Sequence, residues 1–384
     1  MTAYLDHAAS TPMRPEALAA MLPFLAEHPG NPSGTHGAAR IAKSALEEAR
    51  EVIAGCCGVA PDAVVLTGGG SEADNLAVKG AAWAARGAEP SLDGVVTTGL
   101  EHKAVLGAAH RLAADGFRVT EVPGTPAGTL DLDALAAALD ARTAVVSVML
   151  VNNETGIVQP LDAVAALVRE RAPRAVLHTD AVQAPQWLDL RTATAGADLV
   201  ALSGHKFGGP KGAGVLVVRG RVPLVPLVEG GGHEQGLRAG TQDVAGVVAL
   251  ATALSVTDTR RTTEVARIAA LRDRLETGLA AAVPDVAVNG DPALRVAGLL
   301  HLHVPGVEAE TLLVALDRAG IEAAAGSACS SGAIDPSHVL TAMGLPRPRA
   351  LASVRFSLGW ASTAADVDAA LAIVPAVVAG MRAA

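Results

Sequence analysis

One lysine closes the apolar run Ala197-Asp198-Leu199-Val200-Ala201-Leu202-Ser203-Gly204-His205-Lys206. Such a run, ended by a small polar turn, predicts a parallel strand buried on both faces. Ligands of open α/β sheets bind beyond the carboxyl ends of these strands. A lysine there is poorly solvated, so its pKa falls and its amine can serve as nucleophile or base. Taken alone, a surface lysine after a strand is the plainer reading. A second strand upstream, Ala175-Val176-Leu177-His178-Thr179-Asp180, followed by Ala181-Val182-Gln183, shifts the balance. An acid at one strand end and a lysine at another are the pair a pyridoxal phosphate site needs: the lysine forms a Schiff base and the acid partners the pyridinium nitrogen.

Three further segments could serve the same site. Thr67-Gly68-Gly69-Gly70-Ser71-Glu72-Ala73-Asp74-Asn75 follows a strand and opens a helix, where glycines let backbone N–H groups approach a phosphate. An ordinary glycine-rich turn reads the same way, and only Lys206 and Asp180 make the phosphate reading specific. His102, in Glu101-His102-Lys103, also lies past a strand; its imidazole either stacks on a flat cofactor or moves a proton, or simply caps a helix. Asn152-Asn153-Glu154 is either cofactor-facing or turn chemistry. A fourth segment, Gly326-Ser327-Ala328-Cys329-Ser330-Ser331-Gly332, is small and polar around one cysteine, whose thiolate would be a strong nucleophile. Cys56 and Cys57, between Ile53 and Val59, read instead as buried structural thiols.

Alternating strand and helix patterns over the first two-thirds of the chain place these residues on a parallel sheet with crossover helices. The strand segments are Val64–Thr67, Val95–Thr98, Ala144–Val151, the two ending at Asp180 and Leu202, and Gly214–Val218. Asp131–Arg142 reads as a helix with an acidic start, and a helix over about Ser255–Val283 bridges to a second unit. There Leu299–Val304 and Ser353–Ser357 alternate, with a helix over Glu308–Ala319, as in a smaller α+β domain. The 384 residues, 50% hydrophobic and 18% charged, suit a well-packed globular protein. A net charge of −9 without a basic tract argues against direct nucleic-acid binding. Three cysteines, two adjacent, make no disulfide framework and show no metal-ligand spacing, so no metal is expected. No basic-then-apolar start is visible, and apolar stretches such as Ala369–Met381, with Pro375, read as too short to span a bilayer. A cytoplasmic protein without a membrane partner is the expectation.

Taken in order, the motifs resemble the cysteine desulfurases of the iron–sulfur-assembly type, within the aminotransferase class V family of pyridoxal phosphate enzymes. The resemblance covers nearly the whole chain. It rests on Tyr4-Leu5-Asp6, Gly30-Asn31-Pro32-Ser33, Ser71-Glu72-Ala73-Asp74-Asn75, Glu101-His102-Lys103, Val151-Asn152-Asn153-Glu154, Asp180-Ala181-Val182-Gln183, Ser203-Gly204-His205-Lys206, Gly230-Gly231-Gly232-His233-Glu234, Arg238-Ala239-Gly240-Thr241, Gly326-Ser327-Ala328-Cys329 and Val354-Arg355-Phe356-Ser357-Leu358-Gly359. It implies a fold-type I α/β enzyme: a large domain, residues 15–255, with a mainly parallel seven-stranded sheet, and a small α+β domain, residues 1–14 and 256–384, carrying the cysteine loop. It implies that Lys206 holds the cofactor and removes the substrate Cα proton, with Asp180 at the ring nitrogen and His102 stacked on the ring. Gln183 and Asn153 would address the ring hydroxyl side. Gly70, Ser71, Ser203 and His205 would hold the phosphate, joined by Thr241 from a second subunit of a homodimer. Gly70-Ser71 replaces the family's usual Ala-Thr, and serine keeps the hydroxyl. Arg355, helped by Asn31, would clamp the carboxylate of L-cysteine, leaving L-alanine and a persulfide on Cys329 for a sulfur-acceptor protein. Iron–sulfur clusters, thiolated tRNA and DNA phosphorothioation are the destinations left open. The rivals are a selenocysteine lyase, another class V aminotransferase, or a non-catalytic sulfur relay.

Overall fold

The apolar strand segments assemble into one central sheet. The structure, a computed structural model, describes residues 2–326 and 335–383, so Cys329 lies outside the described residues. In spatial order the sheet runs Val64–Thr67, Gly214–Val218, Leu199–Ser203, Val176–Asp180, Thr143–Ser147, Gly94–Thr98, Arg118–Val122. Gly214–Val218 is antiparallel to both neighbours and the other pairings are parallel. Five of the seven strands are buried at every position, which is why they read as continuous apolar runs. The edge strand Arg118–Val122 escaped the sequence reading because its exposed Arg118, Thr120 and Glu121 break that pattern, as an edge strand must.

Some boundaries move. The strand expected over Ala144–Val151 leaves the sheet after Ser147, although Val148 N and Leu150 N still donate to His178 O and Asp180 O (3.1 and 2.9 Å). The helix expected over Asp131–Arg142 is Leu132–Ala138, with the Asp131 carboxylate accepting from Asp133 N and Ala134 N as its cap. The long helix expected from Ser255 begins already at Val244, capped by Asp243, and ends at Ala282.

A second, antiparallel sheet orders Ser353–Ser357, Leu299–His303 and Ala287–Val288, and Ala3–Tyr4 pairs with Ile321–Glu322 in parallel. The alternation read in Leu299–Val304 and Ser353–Ser357 does not mark a wet face, because Ser353–Ser357 is buried throughout. Its polar members bond inward: Ser357 Oγ accepts from Ala8 N, and Ser353 Oγ accepts from Asn289 Nδ2. The expectation that no apolar stretch could span a bilayer needs correction on length. Helix Ala364–Ala383, despite Pro375, is long and apolar enough by composition. Here it packs on helices Val244–Ala282 and Ala309–Arg318, burying Val367, Ala370, Val374 and Val378 as one helical stripe.

One carboxylate pins the loop between the central sheet and the long helix. Glu234 and its neighbour Gln235 take left-handed backbone (φ 48° and 59°), an unfavourable conformation for side-chain-bearing residues. Buried Glu234 accepts from Arg50 at both oxygens (3.0 and 2.9 Å), from Leu66 N (2.8 Å) and from Gln242 Nε2 (2.9 Å). Burial alone would raise its pKa, but Arg50, Gln242 and the Leu66 amide hold it below the usual carboxylate range. A depressed folded pKa means this stabilisation is present above the unfolded value of about 4.3 and is lost as pH falls through the folded one. Glu234→Gln is expected to cost about 3 kcal/mol at pH 7. In urea unfolding, the gap to wild type narrows as pH drops from 5 towards 3.

Candidate active site

Parallel pairing sets Asp180 against Ala201, so both strands deliver their next residues to one sheet edge. The chain beyond Ser203 turns through a short 3₁₀ helix, Gly204–Lys206, and presents Lys206 there. A cavity of about 190 Å³ at this edge is lined by Gly70, Ser71, Asp74, His102, Met149, Val151, Asn153, Asp180, Val182, Gln183, Ser203, His205 and Lys206. Nine residues singled out from the sequence therefore meet: Gly70, Ser71, His102, Asn153, Asp180, Gln183, Ser203, His205 and Lys206. Arg355 joins from the small sheet, donating to Asn153 O (2.7 Å) and Asp6 Oδ1 (2.6 Å). Asn31 and Thr241 do not line this cavity; both are exposed, and Asn31 Oδ1 accepts from Ser33 N.

Lys206 Nζ donates to Ala8 O (2.7 Å) and Ala9 O (3.0 Å). Burial, then the Arg355 charge, lowers its pKa to about 8, against the opposing pull of Asp180 and Asp6. Asp180 is buried; desolvation raises its pKa, opposed by His102, the Val182 amide donating at 2.9 Å, and Lys206. His102 caps helix Lys103–Ala114 through Nδ1, and desolvation lowers its pKa against the opposing pull of Asp180. Burial and then Lys206 and Lys211 take His205 to about 4. Gln183 Nε2 donates to Ala8 O (2.7 Å) and Thr11 N to His205 O (3.0 Å), so the N-terminal segment touches four residues of the site: Gln183, His205, Lys206 and Arg355.

Three acids here had no role in the sequence reading. Asp74 and Glu101 are buried, and desolvation followed by the Asp180 charge pushes both carboxyls well above the usual range. Like charges so close do not all ionise, and Asp180 is the one with cations beside it. Asp6 holds Arg355. All three sit inside motifs already quoted, but their contacts cross between distant segments and leave no local pattern. No metal was expected, yet ligand atoms of Asp74, His102 and Asp180 lie within 4.8 Å of one another, a set of metal-ligand types.

The residues fit a phosphorylated pyridinium ring. Asp180 is an ionisable acid in a dry wall, suited to a cationic ring N–H. A Cβ on Gly70 would lie 2.9 Å from Val182 Cγ2 and 3.2 Å from Ser203 Cβ, so glycine keeps that wall open. Gly70 also starts a helix, with Ser71 next, which favours an anion at that end of the cavity.

Comparison with known proteins agrees with this chemistry. The aminotransferase class-V family model matches residues 3–370. An IscS-like cysteine desulfurase of Mycobacterium tuberculosis is 45% identical over 99% of this chain and 97% of its own length. The solved structure of a NifS-like protein superposes with TM-score 0.92 at 32% identity, covering 99% of this chain and all of that one. A structure described as SspA in complex with cysteine gives TM-score 0.81 at 32% identity, over 94% of this chain and all of that one.

The lowered pKa of Lys206 has a direct readout. Its neutral fraction rises tenfold per pH unit up to about 8 and then levels off. In the cofactor-free protein, labelling by an amine-selective acylating reagent, followed by peptide mass, is expected to be half-maximal near pH 8. A midpoint near the ordinary lysine value of about 10.4 would contradict the burial described here.

Proposed function

The chain belongs to the aminotransferase class-V family and, within it, to the cysteine desulfurases; from that premise we propose that it takes sulfur from L-cysteine, leaving L-alanine, and passes it on through Cys329. The observation that carries this reading is the meeting of Lys206 and Asp180 in one cavity, with Arg355 of the small sheet bonded to the main-chain oxygen of its lining residue Asn153. Pyridoxal phosphate, when bound, supplies the electron sink that lets the substrate's Cα–H and then its Cβ–S bond break. Asp180 would face the ring nitrogen and His102 the ring face, with Asn153 and Gln183 on the hydroxyl side. Gly70, Ser71, Ser203 and His205 would take the phosphate.

The chain's own residues do the rest. Lys206, with a pKa of about 8, has enough neutral amine near neutrality to bond the cofactor and to take the Cα proton. Arg355 receives the substrate carboxylate and fixes its orientation; Asn31, outside the cavity in this chain, would have to move to help it. The Cys329 thiolate attacks the substrate sulfur: an S–S bond forms, the Cβ–S bond breaks, and its electron pair stays on the carbon that becomes the alanine methyl. The persulfide then passes to an acceptor protein serving iron–sulfur clusters, thiolated tRNA or DNA phosphorothioation.

Thr241, exposed in one copy, would complete the phosphate site of a second in a homodimer. Leu18, Leu22 and Leu25 on helix Pro15–Ala26 are 46, 53 and 61% exposed, an apolar face suited to such a partner. The division into a cofactor-binding unit, 15–255, and a small unit, 1–14 with 256–384, belongs to this proposal. So does the cytoplasm as location: Cys56 and Cys57 are free and buried, as in a reducing compartment.

A single turnover of holoenzyme with L-cysteine should release alanine stoichiometrically and add one sulfur to the Cys329 peptide. Cys329→Ala should keep the cofactor's absorbance yet lose sulfur release. Cofactor bound without alanine or added sulfur would favour a different class-V reaction.

A further inference from the structure

Arg355 is spoken for before any substrate arrives. Its Nη2 donates to Asp6 Oδ1 at 2.6 Å and its Nη1 to the main-chain oxygen of Asn153 at 2.7 Å. Its Nε is buried without a partner among the described residues, so the guanidinium has donors to spare but only one positive charge. The Arg355 side chain is 3% exposed and Asp6 is 23% exposed. The cation is thus the desolvated member of the pair and needs a counter-anion at all times. Asp6 cannot easily drift away. It bridges Ser357 in parallel, and the Tyr4 hydroxyl donates to its carbonyl (3.1 Å) and to Ser10 O (2.6 Å).

We propose that Asp6 is a positioning residue that sets how tightly the site holds an amino-acid carboxylate, by sharing the Arg355 guanidinium with it. This rests on Arg355 receiving that carboxylate, as in the function proposed above. With no substrate bound, Asp6 neutralises Arg355 and fixes its fork. With substrate bound, two carboxylates face one guanidinium, and their repulsion is set against binding. The same repulsion acts on the product, which carries the same carboxylate, so Asp6 favours release of the amino acid. Lys206 senses both members of the pair: the Arg355 charge lowers its pKa and the Asp6 charge raises it.

Asp6→Asn separates charge from geometry, because the amide oxygen still accepts from Nη2. In the holoenzyme, calorimetric titration with L-alanine is expected to give a Kd about tenfold lower in the variant. KM for L-cysteine should fall by a similar factor with no rise in kcat, the pattern of a change in uniform binding. A merely structural role for Asp6 predicts weaker binding instead. Unchanged or weaker L-alanine binding in a folded Asp6→Asn protein overturns the proposal. If that variant melts early, Asp6→Ser keeps an oxygen acceptor and is read by the same titration. Wild type that neither binds L-alanine nor turns over L-cysteine would overturn the desulfurase reading and this proposal together. Wild type that does both, beside an Asp6→Asn protein that binds no more tightly, would overturn this proposal alone.

Discussion

Taking one amine out of water is the event around which the rest of this molecule is arranged. Lys206 is half-buried where solvent would ordinarily stabilise its charge, and the groups near it set that charge. The carbonyls of Ala8 and Ala9 accept its protons, Asp180 supplies the nearby anion, and Arg355 opposes the charged state. The charges in and beside the cavity then balance. Lys206 and Arg355 stand beside Asp180 and Asp6, while desolvation favours the uncharged forms of Asp74, Glu101, His102 and His205. A site of this kind tolerates a charged ring and a charged substrate only because so few of its own ionisable groups are ionised.

Two sheets divide the work. The central sheet supplies Asp180 and Lys206 from adjacent parallel strands, a separation fixed by main-chain register rather than by flexible side chains. The small sheet supplies Arg355 from a fully buried strand. Helix Val244–Ala282 packs on helices from both ends of the chain, so it ties the two parts together. Glu234 fastens the loop leading into it to Arg50 and Leu66. Rigid elements thus set the spacing between the amine and the guanidinium, as positioning a small zwitterion requires.

Much of this was legible in the residues. Strands buried on both faces announce themselves as apolar runs, so the strand ends at Asp180 and Ser203 were visible, and with them the site. The acid–lysine pair needed no structure to be noticed, because the two motifs share one arrangement of run and turn. Arg118–Val122 was hidden because an edge strand carries the charges of a loop. The extent of helix Val244–Ala282 was hidden because alanine and valine fit a buried helix and a buried strand alike. Asp6, Asp74 and Glu101 stood in quoted motifs, but what each does depends on partners far away in the chain, such as Asp6 on Arg355. Burial, which decides the charge state of Asp74 and Glu101, is a tertiary property that no local spacing reports.

The hydrogen bonds of the first residues carry a consequence for biosynthesis. Leu5, Asp6 and Ala8 leave the ribosome early, yet their partners are Ser357 and Arg355, nearly the whole chain later. The wall made by Ala8 and Ala9 is held from two sides: Ala8 O accepts from Gln183 Nε2 and Lys206 Nζ, and Thr11 N donates to His205 O, while Ala8 N donates to Ser357 Oγ. The wall over Lys206 therefore joins the first residues of the chain to nearly its last strand, and its full set of bonds is complete only once Ser353–Ser357 has been made.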